Sequence, residues 1–136
     1  MYSYNASSLP YFHQSIPAGF PSPASDYAEE HLNLNELLVE NANSTVLMRV
    51  QGESMIGVGI YPEDILVVDR SALPHDQDVV VAVVDGEFTV KTLRYLQEGA
   101  VLAPENPEFP SIPIAEETEV HIFGVVQYCI HSLKNR

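Results

Sequence analysis

The stretch DVVVAVVDGEFTVKTL, residues 78–93, consists of two apolar runs joined by the pair Asp85-Gly86. An Asp-Gly pair tolerates the positive φ angles of a two-residue hairpin turn, so the stretch predicts an antiparallel hairpin. With the turn at this pair, counting back along both strands places Val80 opposite Lys91. The first strand is apolar on both faces, which indicates that it is buried. The stretch therefore predicts a buried hairpin in which Lys91 lies in the interior, opposite Val80 of the buried first strand.

Four further apolar runs surround this hairpin, each bounded by Gly, Pro or polar residues. They are TVLMRVQG (45–52), DILVVDR (64–70), GAVLAPEN (99–106) and EVHIFGVVQYCIHSL (119–133). Closely spaced strands with turn residues between them are typical of a compact antiparallel β body. We therefore predict a mainly β fold, with the β-rich domain over residues 44–136. Within the last run, HIFGVVQYCI has the length and composition of an aggregation-prone edge strand, so we expect it at a homodimer interface.

The first 43 residues have a different composition. Residues 1–25 contain four prolines among Ser, Tyr, Asn and Gly, which favour an extended arm. Residues 26–43 are predicted to be a short helical segment and linker, because Asp26 and Asn33 each precede a glutamate by three residues, as in a capping box. The break near Asn33 is compatible with one bent helix or with two short ones.

Charge and cysteine content limit the possible partners. The chain of 136 residues has six Lys and Arg against nineteen Asp and Glu, a net charge of −13. Direct binding to nucleic acid depends on Lys and Arg at the phosphates, so we expect protein partners instead. The single cysteine, Cys129, excludes an internal disulfide and suggests a reducing cytoplasm. The N-terminus does not resemble a secretory signal and no apolar run is long enough to span a bilayer, so we expect a cytoplasmic protein without a membrane anchor.

Ser54 lies between two glycines in RVQGESMIGVGI, residues 49–60, directly after a predicted strand. A serine hydroxyl becomes an effective nucleophile only when a base takes its proton. A buried lysine can be that base, because desolvation favours the neutral amine, and Ser-Lys pairs are a known arrangement. From spacing alone, Ser54 can equally be an ordinary turn residue, and Lys91 can extend to solvent. The five histidines show no metal-ligand spacing, so we expect no metal and no cofactor.

Two quoted segments together are similar to one known family. GESMIGVGIYPEDILVVDR followed by DVVVAVVDGEFTVKTL closely resembles the self-cleaving serine peptidases related to the LexA repressor. AGFPSPASDY, LNLNELL and FGVV resemble the UmuD-like branch of that family, and the likeness covers roughly residues 17–130. The resemblance implies that Ser54 is the nucleophile and Lys91 the general base. It also implies self-cleavage between Ala18 and Gly19, a small residue followed by glycine in the N-terminal arm.

The resemblance also implies partners and a cellular role. UmuD-like proteins act in SOS mutagenesis: a RecA-type recombinase filament on single-stranded DNA promotes self-cleavage, and the trimmed homodimer joins a UmuC-like Y-family polymerase subunit. No helix-turn-helix pattern precedes the predicted β body, so a repressor role is not expected. One alternative is a non-catalytic dimeric interaction module of the same fold that regulates a polymerase or a repressor. Another is a relative of the membrane signal peptidases, against which the absence of an apolar span argues.

Overall fold

The computed structural model describes residues 8–13, 15–24 and 29–134 of the chain. It divides the chain into two compact units, residues 1–40 and 41–136. The predicted boundaries of arm, helical segment and β domain, at 25/26 and 43/44, stay predictions.

The N-terminal unit contains a two-stranded sheet and one short helix. Strand β1 (Leu9–Phe12) pairs antiparallel with β2 (Glu29–Leu32), and helix α1 spans Leu34–Leu38. Asn33 caps this helix, as its capping-box pattern predicts, and its side chain accepts hydrogen bonds from the backbone N–H groups of Asn35 and Glu36.

The predicted helix is too long, because Glu29–Leu32 is a strand and not a helix. The reason is that β1 supplies backbone hydrogen bonds to this segment, and such pairing outweighs a weak local preference for helix. The predicted cap at Asp26 lies outside the described residues. No helix in the described ranges is long and apolar enough to cross a membrane.

The second unit is a seven-stranded antiparallel sheet, which confirms the predicted mainly β fold. Its strands are β3 (Thr45–Arg49), β4 (Ile65–Asp69), β5 (Val79–Val84), β6 (Glu87–Leu96), β7 (Gly99–Ala103), β8 (Ile112–Pro113) and β9 (Val120–Ile130). Their order in the sheet is β3-β4-β9-β5-β6-β7-β8, and every neighbouring pair is antiparallel. Short 3-10 helices at Ala42–Ser44 and Ile56–Val58 complete the unit.

The central hairpin has the register predicted from the sequence. Val80 pairs with Lys91, and the turn residues Asp85 and Gly86 have φ angles of 48° and 85°. Two successive positive φ angles are the geometry that an Asp-Gly turn provides. The register carries Lys91 into the buried part of the sheet.

Two apolar clusters pack on opposite faces of β5, because successive residues of a strand point in opposite directions. Val81 belongs to the cluster that contains Met55, and Val80 belongs to the cluster that contains Leu102. The first cluster also includes residues that follow β3, so it anchors the loop between β3 and β4 to the sheet.

Strand β9 is not an edge strand, so that part of the sequence interpretation is wrong. It pairs with β4 on one side and with β5 on the other, and its apolar character reflects this central position. Val125 is only 6% exposed, whereas Tyr128 and Ile130 near the end of the strand are 45% and 43% exposed.

Candidate active site

The loop that carries Ser54 begins where β3 ends. Gly52 turns the chain with a φ angle of 86°, and a 3-10 helix follows over Ile56–Val58. Met55 is 1% exposed and packs in the apolar cluster, while Ser54 is half-buried. The buried methionine therefore anchors the loop and leaves the neighbouring serine at its surface.

A second segment, residues 104–106, holds the same loop through three hydrogen bonds. The Glu105 N–H donates to the Ser54 carbonyl at 2.7 Å, and the Gly57 N–H donates to the Glu105 carbonyl at 2.7 Å. The Asn106 side-chain amide donates to the Glu53 carbonyl at 3.0 Å. Gly57 is required for this approach, because an added Cβ would collide with the Glu105 carbonyl. These bonds hold the backbone on both sides of Ser54.

Lys91 reaches this loop from strand β6. Its side-chain nitrogen Nζ lies 3.1 Å from Ser54 Oγ, 2.8 Å from Thr89 Oγ1 and 3.2 Å from the Val90 carbonyl oxygen, all within hydrogen-bond distance. The residue is 8% exposed, so it does not extend freely into solvent. The structure thus brings together Ser54 and Lys91, which are 37 residues apart in the sequence.

The surroundings of Lys91 favour its neutral form. Burial lowers the pKa of Lys91 below its ordinary value, since desolvation penalises the ammonium. Within the described ranges, no carboxylate forms an ion pair with it that would counteract this effect. The three contacts of Nζ are all with neutral oxygens.

Ser54 and Lys91 line one cleft of about 400 Å³ in the β body. Phe88 and Phe109 lie on its wall and are 59% and 42% exposed, so the cleft offers apolar surface beside the polar pair. Its volume and its aromatic wall residues suit a bound segment with apolar side chains.

Ala18 and Gly19 belong to the N-terminal unit. Both residues are exposed and lie in a bend over residues 18–20. Exposure and the absence of regular secondary structure are typical of peptide bonds that proteases cut.

Cys129 belongs to a separate polar cluster at the end of β9. Its Sγ donates to Asp64 Oδ2 at 3.2 Å, and His131 Nδ1 lies 2.5 Å from Asp64 Oδ1. Burial, together with the neighbouring carboxylate, raises the pKa of Cys129 to about 12, so the thiolate is scarce at neutral pH. Among the described residues, no group of three or more His, Cys, Asp or Glu side chains could hold a metal ion.

Comparison with known proteins shows which family the chain resembles. Residues 10–127 match the Peptidase S24-like family. The chain belongs to the Peptidase S24-like family. Protein SamA of Salmonella typhimurium is 42% identical over 129 residues, covering 95% of this chain and 89% of SamA. Protein MucA of Escherichia coli is 43% identical over 124 residues, covering 90% and 84% of the two chains.

A repressor is among the relatives of this peptidase family. LexA repressor 1 of Geobacter sulfurreducens is 37% identical over 112 residues, which make up 82% of this chain and 55% of the repressor. The resemblance to UmuD-like proteins and to LexA-related peptidases is therefore confirmed. The chain is a serine peptidase of the self-cleaving kind, and its function is that of a UmuD-like protein in SOS mutagenesis.

Sequence reasoning did not find the residues that hold the Ser54 loop. Glu105 and Asn106 belong to the run PENPEF after β7, which reads as an ordinary proline-rich loop. The signal available was the polar pair that follows the apolar strand β7 after one proline, since a buried asparagine such as Asn106, 8% exposed, must find hydrogen-bond partners. Nothing in the spacing indicated that those partners lie about fifty residues earlier.

Proposed function

We propose that the protein cleaves its own chain between Ala18 and Gly19, with Ser54 as nucleophile and Lys91 as general base. A recombinase filament on single-stranded DNA promotes this step, and the trimmed homodimer then serves as accessory subunit of a Y-family translesion polymerase. The observation that carries the catalytic part is the 3.1 Å contact between Lys91 Nζ and Ser54 Oγ, made by a buried lysine without a carboxylate partner in the described ranges.

The three contacts of Lys91 suit a neutral amine. A neutral amine has two N–H donors and one lone pair, so Thr89 Oγ1 and the Val90 carbonyl can accept the two protons. The lone pair is then directed at Ser54 Oγ, whose O–H becomes the donor. This arrangement supports Lys91 as the acceptor of the serine proton.

The reaction then follows the course of acyl transfer. As Ser54 Oγ bonds to the Ala18 carbonyl carbon, its proton passes to Lys91 Nζ. The ammonium that forms returns the proton to the Gly19 nitrogen as the peptide bond breaks, which leaves an ester between Ala18 and Ser54. A water molecule, deprotonated by the same amine, hydrolyses the ester and restores the serine.

The oxyanion needs hydrogen-bond donors close to the nucleophile. Within the described part of the chain, the backbone N–H groups of Ser54 and Met55 donate no hydrogen bond. They belong to the proposed nucleophile and to the residue after it, in a loop held by the buried Met55 side chain and by residues 104–106. We therefore assign these two N–H groups as oxyanion donors, since a fixed donor stabilises developing charge without reorganisation.

The segment around the scissile bond suits the cleft. In extended conformation Ile16, Ala18 and Phe20 point to one side, because successive side chains alternate. Ile16 and Phe20 are 91% and 93% exposed, so both can bury apolar surface in a binding cleft. The prolines at 17 and 21 keep the backbone extended, which lowers the entropic cost of docking.

The polymerase partnership and the homodimer are supported by the UmuD-like relatives and by surface chemistry. A net charge of −13 favours association with a basic protein surface. Leu47 and Tyr128 both lie opposite Val67 on neighbouring strands and are 65% and 45% exposed. This apolar face of β3 and β9 is the proposed homodimer contact.

Intact mass spectrometry after incubation with recombinase, single-stranded DNA and a nucleoside triphosphate tests the proposal. The expected result is a fragment that begins at Gly19, formed by the native protein and absent with Ser54→Ala. A chain that stays intact under these conditions and at alkaline pH would instead favour a non-catalytic interaction module. A cut at another bond would contradict the assignment of Ala18 and Gly19.

A further inference from the structure

The carboxylate of Glu105 links the two halves of the Ser-Lys site. Its Oε2 accepts a hydrogen bond from Thr92 Oγ1 at 2.8 Å and forms an ion pair with Arg94 Nη2 at 3.1 Å. Thr92 is 3% exposed and directly follows Lys91 in β6. The side chain of Glu105 is therefore fixed to the strand that carries the lysine.

The backbone of Glu105 is fixed to the loop that carries the serine. Its N–H donates to the Ser54 carbonyl and its carbonyl accepts from the Gly57 N–H, both at 2.7 Å. One residue thus connects both sides of the contact between Ser54 and Lys91. Arg94 Nη1 in turn donates a hydrogen bond to Gln77 Oε1 at 3.1 Å. This bond restrains the guanidinium that pairs with Glu105.

We propose that Glu105 is a positioning residue for self-cleavage, which holds the Ser54 loop closed over Lys91 by tying its backbone to Thr92 and Arg94. This inference rests on the proposed function of Ser54 and Lys91. The link has two consequences: it sets the distance between Oγ and Nζ, and it keeps water away from the lysine. Burial is the cause of the lowered pKa of Lys91, so a looser loop raises that pKa. The other charged side chains that line the cleft, Arg49 and Glu53, are exposed.

An NMR titration of the lysines tests whether Glu105 keeps the loop closed over Lys91, and it does not require cleavage. The chain contains two lysines, Lys91 and Lys134, so a sample labelled at lysine Cε gives two assignable signals. All variants are made in a Ser54→Ala background, which keeps the chain intact. With Glu105→Ala, the titration midpoint of Lys91 should rise toward the ordinary value of a lysine side chain, because the loop no longer buries the amine. Asn41→Ala is the matched control, because it also removes a hydrogen bond to a carboxylate, that of Asp69, but makes no contact with the Ser54 loop.

Cleavage kinetics without partner test the same link in the active protein. Glu105→Ala should lower the rate at its alkaline plateau by about tenfold to a hundredfold, because small displacements of reacting groups are costly. The midpoint of its pH–rate profile should also move to higher pH. Glu105→Gln keeps an oxygen acceptor for Thr92 and Arg94 and should retain a rate within about threefold of the native one.

Thr92→Val provides a second variant in case Glu105→Ala does not fold. It keeps the shape of a buried strand residue but removes the hydroxyl that bonds to Glu105, so it should shift the midpoint in the same direction. An unchanged Lys91 midpoint in a folded Glu105→Ala or Thr92→Val protein would overturn the inference. A Gln variant as slow as the Ala variant would also contradict it. Failure of the proposed function looks different, because the native protein would then not cleave whereas the Lys91 titration would still respond to Glu105→Ala.

Discussion

The two units of the chain differ in how their residues are buried. In the N-terminal unit, none of the residues described between 8 and 40 is buried, and both strands and the helix are largely exposed. The second unit has two apolar clusters, with Val68 and Val80 at 0% exposure. A site that must hold two groups within hydrogen-bond distance needs such a rigid core. The N-terminal unit, which we propose as the substrate, has the exposed backbone that a peptide segment needs to enter such a site.

The largest expected effect on self-cleavage follows from removing either the Ser54 hydroxyl or the Lys91 amine in the β body. Ser54→Ala and Lys91→Ala should each lower self-cleavage by at least about 10³-fold, because the proposed nucleophile and base would act as one unit. Intact mass after incubation with activated filament measures the effect. Ser132→Ala and Lys134→Ala are the matched controls, since both residues are exposed near the C-terminus and these variants should cleave normally.

Substantial cleavage by either active-site variant would mean that another nucleophile or base operates. Circular dichroism must show the native β signal in each protein. This condition separates loss of chemistry from loss of the fold.

The next largest effect on the cleavage rate is expected from a substitution at the proposed cleavage site in the N-terminal unit. Gly19→Lys should slow cleavage by about a hundredfold or more, because a long charged side chain cannot enter a site adapted to glycine. Ala24→Lys adds the same charge at another small, exposed residue further along the N-terminal unit and should cleave at close to the native rate. Equal rates for these two variants would place the scissile bond elsewhere in the N-terminal unit.

A smaller effect on the rate of partner-free cleavage is expected from a change of pH. Burial lowers the pKa of Lys91, but below that value the lysine is still protonated and cannot accept the Ser54 proton. Partner-free cleavage should therefore rise about tenfold per pH unit on the acid side of that pKa and then level off. Because the unfolded chain binds this proton more tightly than the native one, the contribution of Lys91 to stability rises with pH from its lowered native pKa up to its ordinary value.

Rates from mildly acidic to alkaline pH, with the fold checked at each point, measure this profile. A flat profile, or one that falls with rising pH while the fold persists, would exclude a neutral lysine as the base.

The two units also differ in how well the sequence predicts them. In the β body, the Asp85-Gly86 turn determines the register, and the register carries Lys91 to its buried position. The contact with Ser54 could be anticipated only from the family resemblance, because no local rule brings the loop after β3 to β6. The link through Glu105 was not predictable, since it depends on three segments that meet only in the folded chain.

The position of a strand within the sheet is also difficult to predict from the sequence. The apolar run of β9 correctly predicts a strand, but composition alone does not distinguish a long edge from a central strand buried between β4 and β5. In the N-terminal unit, the capping pattern at Asn33 predicts the start of α1, but the pairing of Glu29–Leu32 with Leu9–Phe12 leaves no comparable signal.

The proposed homodimer gives the fourth prediction, in which a substitution changes the affinity between the two protomers and not the cleavage chemistry. Tyr128→Glu should raise the dimer dissociation constant by about thirtyfold, because it places a charge on the apolar face shared with Leu47. Sedimentation over a concentration series measures this constant. Tyr95→Glu is the matched control, as Tyr95 is 55% exposed on β6 and its replacement should leave the dimer intact.

Val125 is not a useful position for this test, since it is 6% exposed and a charge there would disrupt the core. An unchanged constant for Tyr128→Glu would place the interface on another face of the body.

The smallest effect is expected at the helix of the N-terminal unit. Asn33→Ala removes the side-chain oxygen that accepts from the Asn35 and Glu36 N–H groups, at a cost of about 1 kcal/mol to the helix. A five-residue helix without buried residues has little other support, so these amides should exchange several-fold faster with solvent. Asn33→Asp keeps a capping oxygen and should preserve the native exchange rates. The rate of self-cleavage should change by less than about twofold in either variant, because Asn33 lies outside the stretch from Ile16 to Phe20 and outside the Ser-Lys cleft. A large loss of cleavage with Asn33→Ala would mean that α1 helps to present the proposed scissile bond, and the substrate would then include more of the N-terminal unit than the stretch from Ile16 to Phe20.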